Sequence, residues 1–268
     1  MGRLWRTRAV QGYRHPAGAD LDTTVEQAQA LLRDLRESFA PSYLTLISII
    51  QGVLLGLSFE LVSEGRATTG LADPASLLVF NNIVLIALVW NEYRMGSSMF
   101  RWIPSLLDAV IPFTVGGLQA ALILTTARPA QWLAGLAVLF AASIPAYENM
   151  YRRAAEEERN ALVLEHNRFF RWFNPVACCA LAVGIGALAA VHLSRGSDPG
   201  IGALLAVTLL NGLFLLRGEV NWRIVVRAAR TAAREQAPTA GAAADRPMAP
   251  EQVGFPSPPP GEPDHVVV

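Results

Sequence analysis

Lysine is absent: all 22 basic residues are arginine, balanced by 22 acids, so the net charge is zero and no field of one sign favours nucleic acid as a partner. Charge of either sign is scarce, at 16% of residues against roughly 25% in a soluble domain. A soluble fold with so little charge would leave apolar surface facing water, which argues against an ordinary cytosolic enzyme. Cysteine is nearly absent too. Cys178 and Cys179 are neighbours in an apolar run, where adjacent residues do not readily form a standard disulfide and no nearby charge favours a thiolate, so they read as packing residues. The four histidines, His15, His166, His192 and His265, include no pair at metal spacing. There is no phosphate-cradling Walker loop, no GxGxxG after a strand and no GxSxG elbow. No cofactor or metal is therefore expected, and enzyme activity is the remotest function class. The first forty residues also lack an apolar core followed by a small-residue cleavage site, so no removable signal peptide is expected and the first apolar helix is expected to direct insertion.

What the chain has instead is hydrocarbon: 52% of its residues are hydrophobic and its mean hydropathy is +0.33. Six apolar runs approach the ~20 residues needed to cross a bilayer as helix. They extend from Ser42 to Val62, Pro74 to Tyr93, Ile103 to Leu124, Pro129 to Tyr147, Asn174 to Ser194 and Pro199 to Leu216. Three begin at or beside a proline, where a missing N–H costs nothing because that donor is unpaired in any helix. Short loops between runs favour antiparallel neighbours. The expected fold is all-α, a polytopic membrane protein of six transmembrane helices in three hairpins with an amphipathic N-terminal helix.

Four segments follow: 1–40 on the cytoplasmic side with the amphipathic helix, 41–218 in the bilayer, 219–235 as a cytoplasmic helical extension, and a disordered proline- and alanine-rich tail over 236–268. Thr23 and Glu26 have capping-box spacing, and Val25, Ala28, Leu32, Leu35 and Phe39 form a stripe suited to the membrane surface. Residues Tyr151 to Phe173 read as an extension of the fourth span and a return segment, with Glu156, Glu157, Glu158 and Arg159 on a solvated face.

Arginine sets the expected orientation. The two termini and the second and fourth loops hold 19 arginines, the other three loops one each. Basic residues accumulate on the cytoplasmic side, so both termini are expected there. Trp90, Tyr93, Trp102, Tyr147, Tyr151, Trp172 and Trp222 fall at the same helix ends, where amphipathic rings favour headgroups. Arginine in place of lysine, with abundant alanine, fits a GC-rich genome and hence a bacterial inner membrane.

Related sequences recur at that side. Phe100-Arg101-Trp102-Ile103-Pro104 resembles Phe170-Arg171-Trp172-Phe173-Asn174-Pro175, and Trp90-Asn91-Glu92-Tyr93-Arg94 resembles Tyr147-Glu148-Asn149-Met150-Tyr151-Arg152 and Glu219-Val220-Asn221-Trp222-Arg223. Either the three hairpins are repeats around a shared path, or each helix end independently needs an aromatic and an arginine.

Polar groups inside hydrocarbon are expensive, and an ionisable one marks function by default. Asp108 is the clearest case, expected five residues into the third span, with Pro112, Gly116 and Gln119 following on its face. That face either lines a path or seats a neighbour, with Asp108 clamped to Arg94 or Arg217. Gln51 lies beside a Gly52/Gly56 pair suited to close helix approach, while Asn81, Asn82, Thr208 and Asn211 offer further hydrogen-bonding groups. Pro112 and Pro145 mark kinks or freed carbonyls. Glu60 and His192 lie near the opposite surface, where boundary location explains them.

The runs Ser48–Gly52, Trp90–Tyr93 and Arg101–Asp108 resemble segments of bacterial polytopic membrane proteins. The likeness covers the first three spans and implies a membrane location without an activity. A looser comparison is with six-helix repeat potassium channels, but the first span lacks their Phe-Ser-Asp filter motif, so neither filter nor selectivity carries over. Two functions remain: a channel or transporter subunit for an ion or small solute, or a scaffold or sensor whose tail recruits a cytoplasmic partner. A lipid bilayer and a second copy of the chain are the expected partners.

Overall fold

A computed structural model describes residues 21–64, 73–103 and 105–244, and all regular structure among them is helical. The elements are α1 (Leu21–Ser63), α2 (Pro74–Met99), α3 (Leu106–Leu124), α4 (Pro129–Ala155), a 3₁₀ turn (Glu158–Asn160), α5 (Ala161–His166), α6 (Arg168–Arg195) and α7 (Ile201–Ala244). Six segments are long and apolar enough to cross a membrane: Glu37–Ser63, Pro74–Met99, Leu106–Leu124, Pro129–Ala155, Arg168–Arg195 and Ile201–Thr231. They coincide with the six apolar runs. Helices are the form expected, because in lipid each backbone N–H and C=O must find its partner within its own segment. The chain forms a compact unit up to Val226, and from Arg227 the rest of α7 belongs to a second unit.

Local chemistry explains where the helices start. At α2 the Asp73 carboxylate accepts from the Ser76 backbone N–H at 3.0 Å, and Pro74 occupies the first position, whose N–H is not needed. At α3 Ser105 is the cap and Asp108 the third residue. The helices run through Pro112 and Pro145, as α1 does through Pro41.

Several sequence expectations need correction. The surface helix does not stand apart, because α1 continues unbroken from Leu21 through the first span. Thr23 lies inside that helix, and its side chain, like most of the amphipathic stripe, is outside the described set. Likewise α7 continues to Ala244, beyond the expected end at 235, and the remaining tail lies outside the described residues. The Gly52/Gly56 pair faces outward, with nothing within 4 Å of a methyl placed at either position. The close approach is at Gly116 instead, where a Cβ would stand 2.6 Å from Ile50 Cγ2, so α1 and α3 meet there only because the side chain is a hydrogen.

Packing is set by the interior. α1 lies against α2 and α3, and α3 against α4. The closest partner of α6 is α4, not the α7 that follows it. That seam brings Gly186 to Ala137, and small residues let two apolar helices approach in lipid, where no hydrophobic force drives them together. Trp132, Leu133, Leu136, Leu77, Leu78 and Leu204 form the most buried part of the main core. Outward faces carry Ile49, Val53, Phe113, Val183, Leu209 and Leu213, a surface suited to acyl chains.

Not every aromatic at the arginine-rich end serves as an anchor. Trp102 and Tyr151 are buried, packing with Phe100 and Ala154 under the second and fourth loops. Asn160 joins those loops. Its Oδ1 accepts from the Arg101 backbone N–H at 2.9 Å, and its Nδ2 donates to the carbonyls of Arg101 at 2.7 Å and Ala154 at 2.8 Å. The side chain thus supplies both partners of one peptide-bonding residue.

Candidate functional site: a cavity between two acids

Near the arginine-rich end, α2, α4, α6 and α7 converge on Glu92. Its Oε1 accepts from the Arg217 guanidinium and its Oε2 from the Tyr147 hydroxyl at 2.8 Å, while Arg217 also donates to Asn174 Oδ1. The Phe214 ring lies 4.2 Å from the same guanidinium. Gly218 adjoins the pair: a Cβ there would sit 2.9 Å from Glu92 Oε1, so a larger residue would push that carboxylate aside. Both charges are largely buried, with side-chain exposures of 12% for Arg217 and 20% for Glu92. Such a pair recovers its desolvation cost only when further hydrogen bonds complete its geometry, and Tyr147 and Asn174 provide them.

Asp108 does not join this cluster. Its Oδ2 accepts from the Ser105 backbone N–H at 2.7 Å and from the Ser105 hydroxyl at 2.8 Å, a capping box at the start of α3. The carboxylate therefore sits in the first turn of the span, where the positive end of the helix dipole favours it. The expected clamp to Arg94 or Arg217 gives way to this local cap. Arg94 instead donates to Asn91 Oδ1 at 3.0 Å and lies over the rings of Trp90 and Trp222. The remaining oxygen of Asp108, Oδ1, has only a 3.5 Å contact from Asn149 Nδ2. Asp108 is 5% exposed, and no guanidinium among the described residues pairs with it.

Glu92 and Asp108 line one cavity of about 100 Å³. Leu85, Leu88, Ile111, Val115, Leu139 and Phe140 supply its apolar wall, and Tyr43, Tyr93, Tyr147, Asn149 and Ser143 bring rings and polar atoms to it. The two carboxylates are the acidic groups of its wall, and Arg217, bonded to Glu92 Oε1, does not line it.

Farther along the bundle the expected amides do meet. Gln51 Nε2 donates to Gln119 Oε1 at 3.0 Å, and Gln119 Nε2 to the Leu85 carbonyl at 3.2 Å, tying α1, α3 and α2. Toward the opposite end Asn82 donates to Thr126 Oγ1 at 3.1 Å and accepts from Trp132 Nε1 at 2.9 Å. Its neighbour Asn81 donates to Thr208 Oγ1 at 2.6 Å and accepts from Asn211 at 3.1 Å. These layers join helices across the bundle, with Leu85, Leu88 and Val115 between them and the acidic cavity.

Of the residues singled out in sequence, Gln51 and Gln119 form one pair, Asn81 and Asn211 another, and Asn82 bonds to Trp132 of α4 and to Thr126 in the turn before it. Asp108 and Arg217 face different partners around the cavity. Glu92, Tyr147, Asn174 and Asn160 were missed. The capping box was legible in Ser105-Leu-Leu-Asp108, a Ser followed by an acid three residues on. Glu92 carried a weaker signal, because it is the acid of the Trp90–Arg94 run that two other helix ends echo. In the first two of those runs the likeness is structural: Asn91 accepts from Arg94, and Asn149 from Arg152 at 3.2 Å, each three residues on. No family model, curated protein or solved structure matches the chain.

Proposed function

We propose that this integral membrane protein transports a small cation across a bacterial inner membrane, both termini being cytoplasmic, and that the cavity between Glu92 and Asp108 is its binding site. One observation carries the reading: the Asp108 carboxylate is buried against a cavity and no guanidinium among the described residues pairs with it, while the other acid on that cavity already has Arg217. A buried unpaired charge is costly, and a cation entering the cavity would offset that cost. The aromatic and aliphatic wall suits a monovalent ion with an apolar body, such as a small protonated amine, better than a strongly hydrated divalent metal. A second copy of the chain and a soluble partner for the tail belong to the same proposal.

Reconstitution in liposomes tests it. Wild type should carry methylammonium down an imposed gradient. Asp108→Asn should abolish that flux, because Asn retains an oxygen to cap Ser105 and loses the charge, giving up besides only the 3.5 Å contact from Asn149 Nδ2. Unchanged flux in Asp108→Asn would remove the site.

The scaffold reading is favoured by a different observation: the interior hydrogen bonds of Gln51, Gln119, Asn81, Asn82 and Asn211 bridge helices. Absence of wild-type flux for both protons and methylammonium would favour it.

A further inference from the structure

A second groove, of about 430 Å³, opens at the arginine-rich ends of α4 and α6, away from the acidic cavity. Glu148, Tyr151 and Arg152 stand at i, i+3 and i+4 on α4. Arg168, Arg171 and Trp172 repeat that spacing on α6. Three guanidiniums and one carboxylate leave the groove positively charged. Arg152 is held by its bond to Asn149 at 3.2 Å. The guanidiniums of Arg168 and Arg171 have no hydrogen bond or ion pair among the described residues. Like charges three residues apart on one helix face repel, and an anion between them would relieve that repulsion.

From this geometry we infer that the groove binds the phosphate of an anionic phospholipid headgroup. Guanidinium is suited to phosphate because its planar fork presents parallel N–H donors to two oxygens, and three of them converge here. The volume falls within the ~300–1,000 Å³ typical of small-molecule sites. Lipid is favoured over a free phosphate by what adjoins the groove. Trp172 is 73% exposed at its rim, and Val176 and Val183 continue up the same helix as exposed apolar surface. A headgroup held by the arginines would leave its acyl chains along those valines and its interfacial layer at the indole. The inference rests on the membrane location and is independent of the transport reading.

The test is thermal unfolding of the full chain in mixed micelles. Phosphatidylglycerol should raise the midpoint in a saturable way, and phosphatidylcholine should not. Arg168→Gln and Arg171→Gln should each weaken the apparent affinity about tenfold, as loss of one charge-assisted bond implies, while leaving the midpoint in phosphatidylcholine unchanged. Glu148→Gln removes the one carboxylate in the groove and should tighten binding, a gain that damage to the fold would not produce. Equal protection of wild type and the arginine variants would overturn the site. Equal protection by inorganic phosphate in phosphatidylcholine micelles would overturn the assignment to lipid. Flux through the acidic cavity should be the same in Arg168→Gln as in wild type.

Discussion

Replacing Arg217 by Gln probes the interaction on which four helices converge. The variant leaves the Glu92 carboxylate with the Tyr147 hydroxyl alone and deprives Asn174 Oδ1 of its donor. Removing one partner of a buried ion pair costs about 3 to 5 kcal/mol, mainly because the other charge stays desolvated. Glu92 borders a cavity and retains some exposure, which places the expected loss near the lower end, about 3 kcal/mol. Glu92→Gln should cost a similar amount by stranding the guanidinium. The double variant Glu92→Gln/Arg217→Gln leaves two neutral amides that can bond to each other, so its loss should fall short of the summed singles by about 2 kcal/mol or more. Reversible unfolding in mixed micelles, titrated with dodecyl sulfate, measures all three. Additivity within about 0.5 kcal/mol, or an Arg217→Gln loss below about 1 kcal/mol, would refute the view that this pair fastens α7 to α2.

Helix approach gives a paired prediction. Gly116→Ala should destabilise by about 1 to 3 kcal/mol despite the better helix propensity of alanine, because its methyl meets the β-branched Ile50, whereas Gly52→Ala should be neutral or slightly stabilising; the same dodecyl sulfate titration reads both. Asn160→Ala should cost about 1 to 3 kcal/mol, since it strands the Arg101 backbone groups beneath a buried cluster, and faster hydrogen exchange at the Arg101 amide would mark the local origin. Trp132→Phe removes one donor from Asn82 and also shrinks a fully buried ring, so it should cost about 1 to 3 kcal/mol, of which the hydrogen bond supplies about 0.6; a loss below about 0.5 kcal/mol would refute a packed, bonded layer there. Reporter fusions after residue 155 and after residue 244 should both report the cytoplasm, and an external signal from either would reverse the arginine argument.

Sequence alone specified the six spans, their starts to within about two turns, and the residue types hidden among them, but not how far the helices of the fourth and sixth spans run past Tyr147 and Leu216. Those properties depend on local quantities: the length of an apolar run against the bilayer thickness, a proline or capping group at its start, and the lack of any other way to satisfy a backbone in lipid. Gln51, Gln119, Asn81, Asn82 and Asn211 were legible as buried amides for the same reason. What they touch was not. A helical period specifies which face of a helix is polar, but the partner on that face depends on rotation, depth and the closeness of approach, which the whole bundle sets. Arg217 lies beside Glu92, not Asp108, because the fold brings those two helix faces together beside Gly218 and because Ser105 already holds Asp108 at the start of its own helix. The neighbour of α6 is α4, since small residues on both faces bring them together more closely than a short connection brings α6 to α7. The cavity bearing two acids is the product of those choices, and no stretch of the chain contains it.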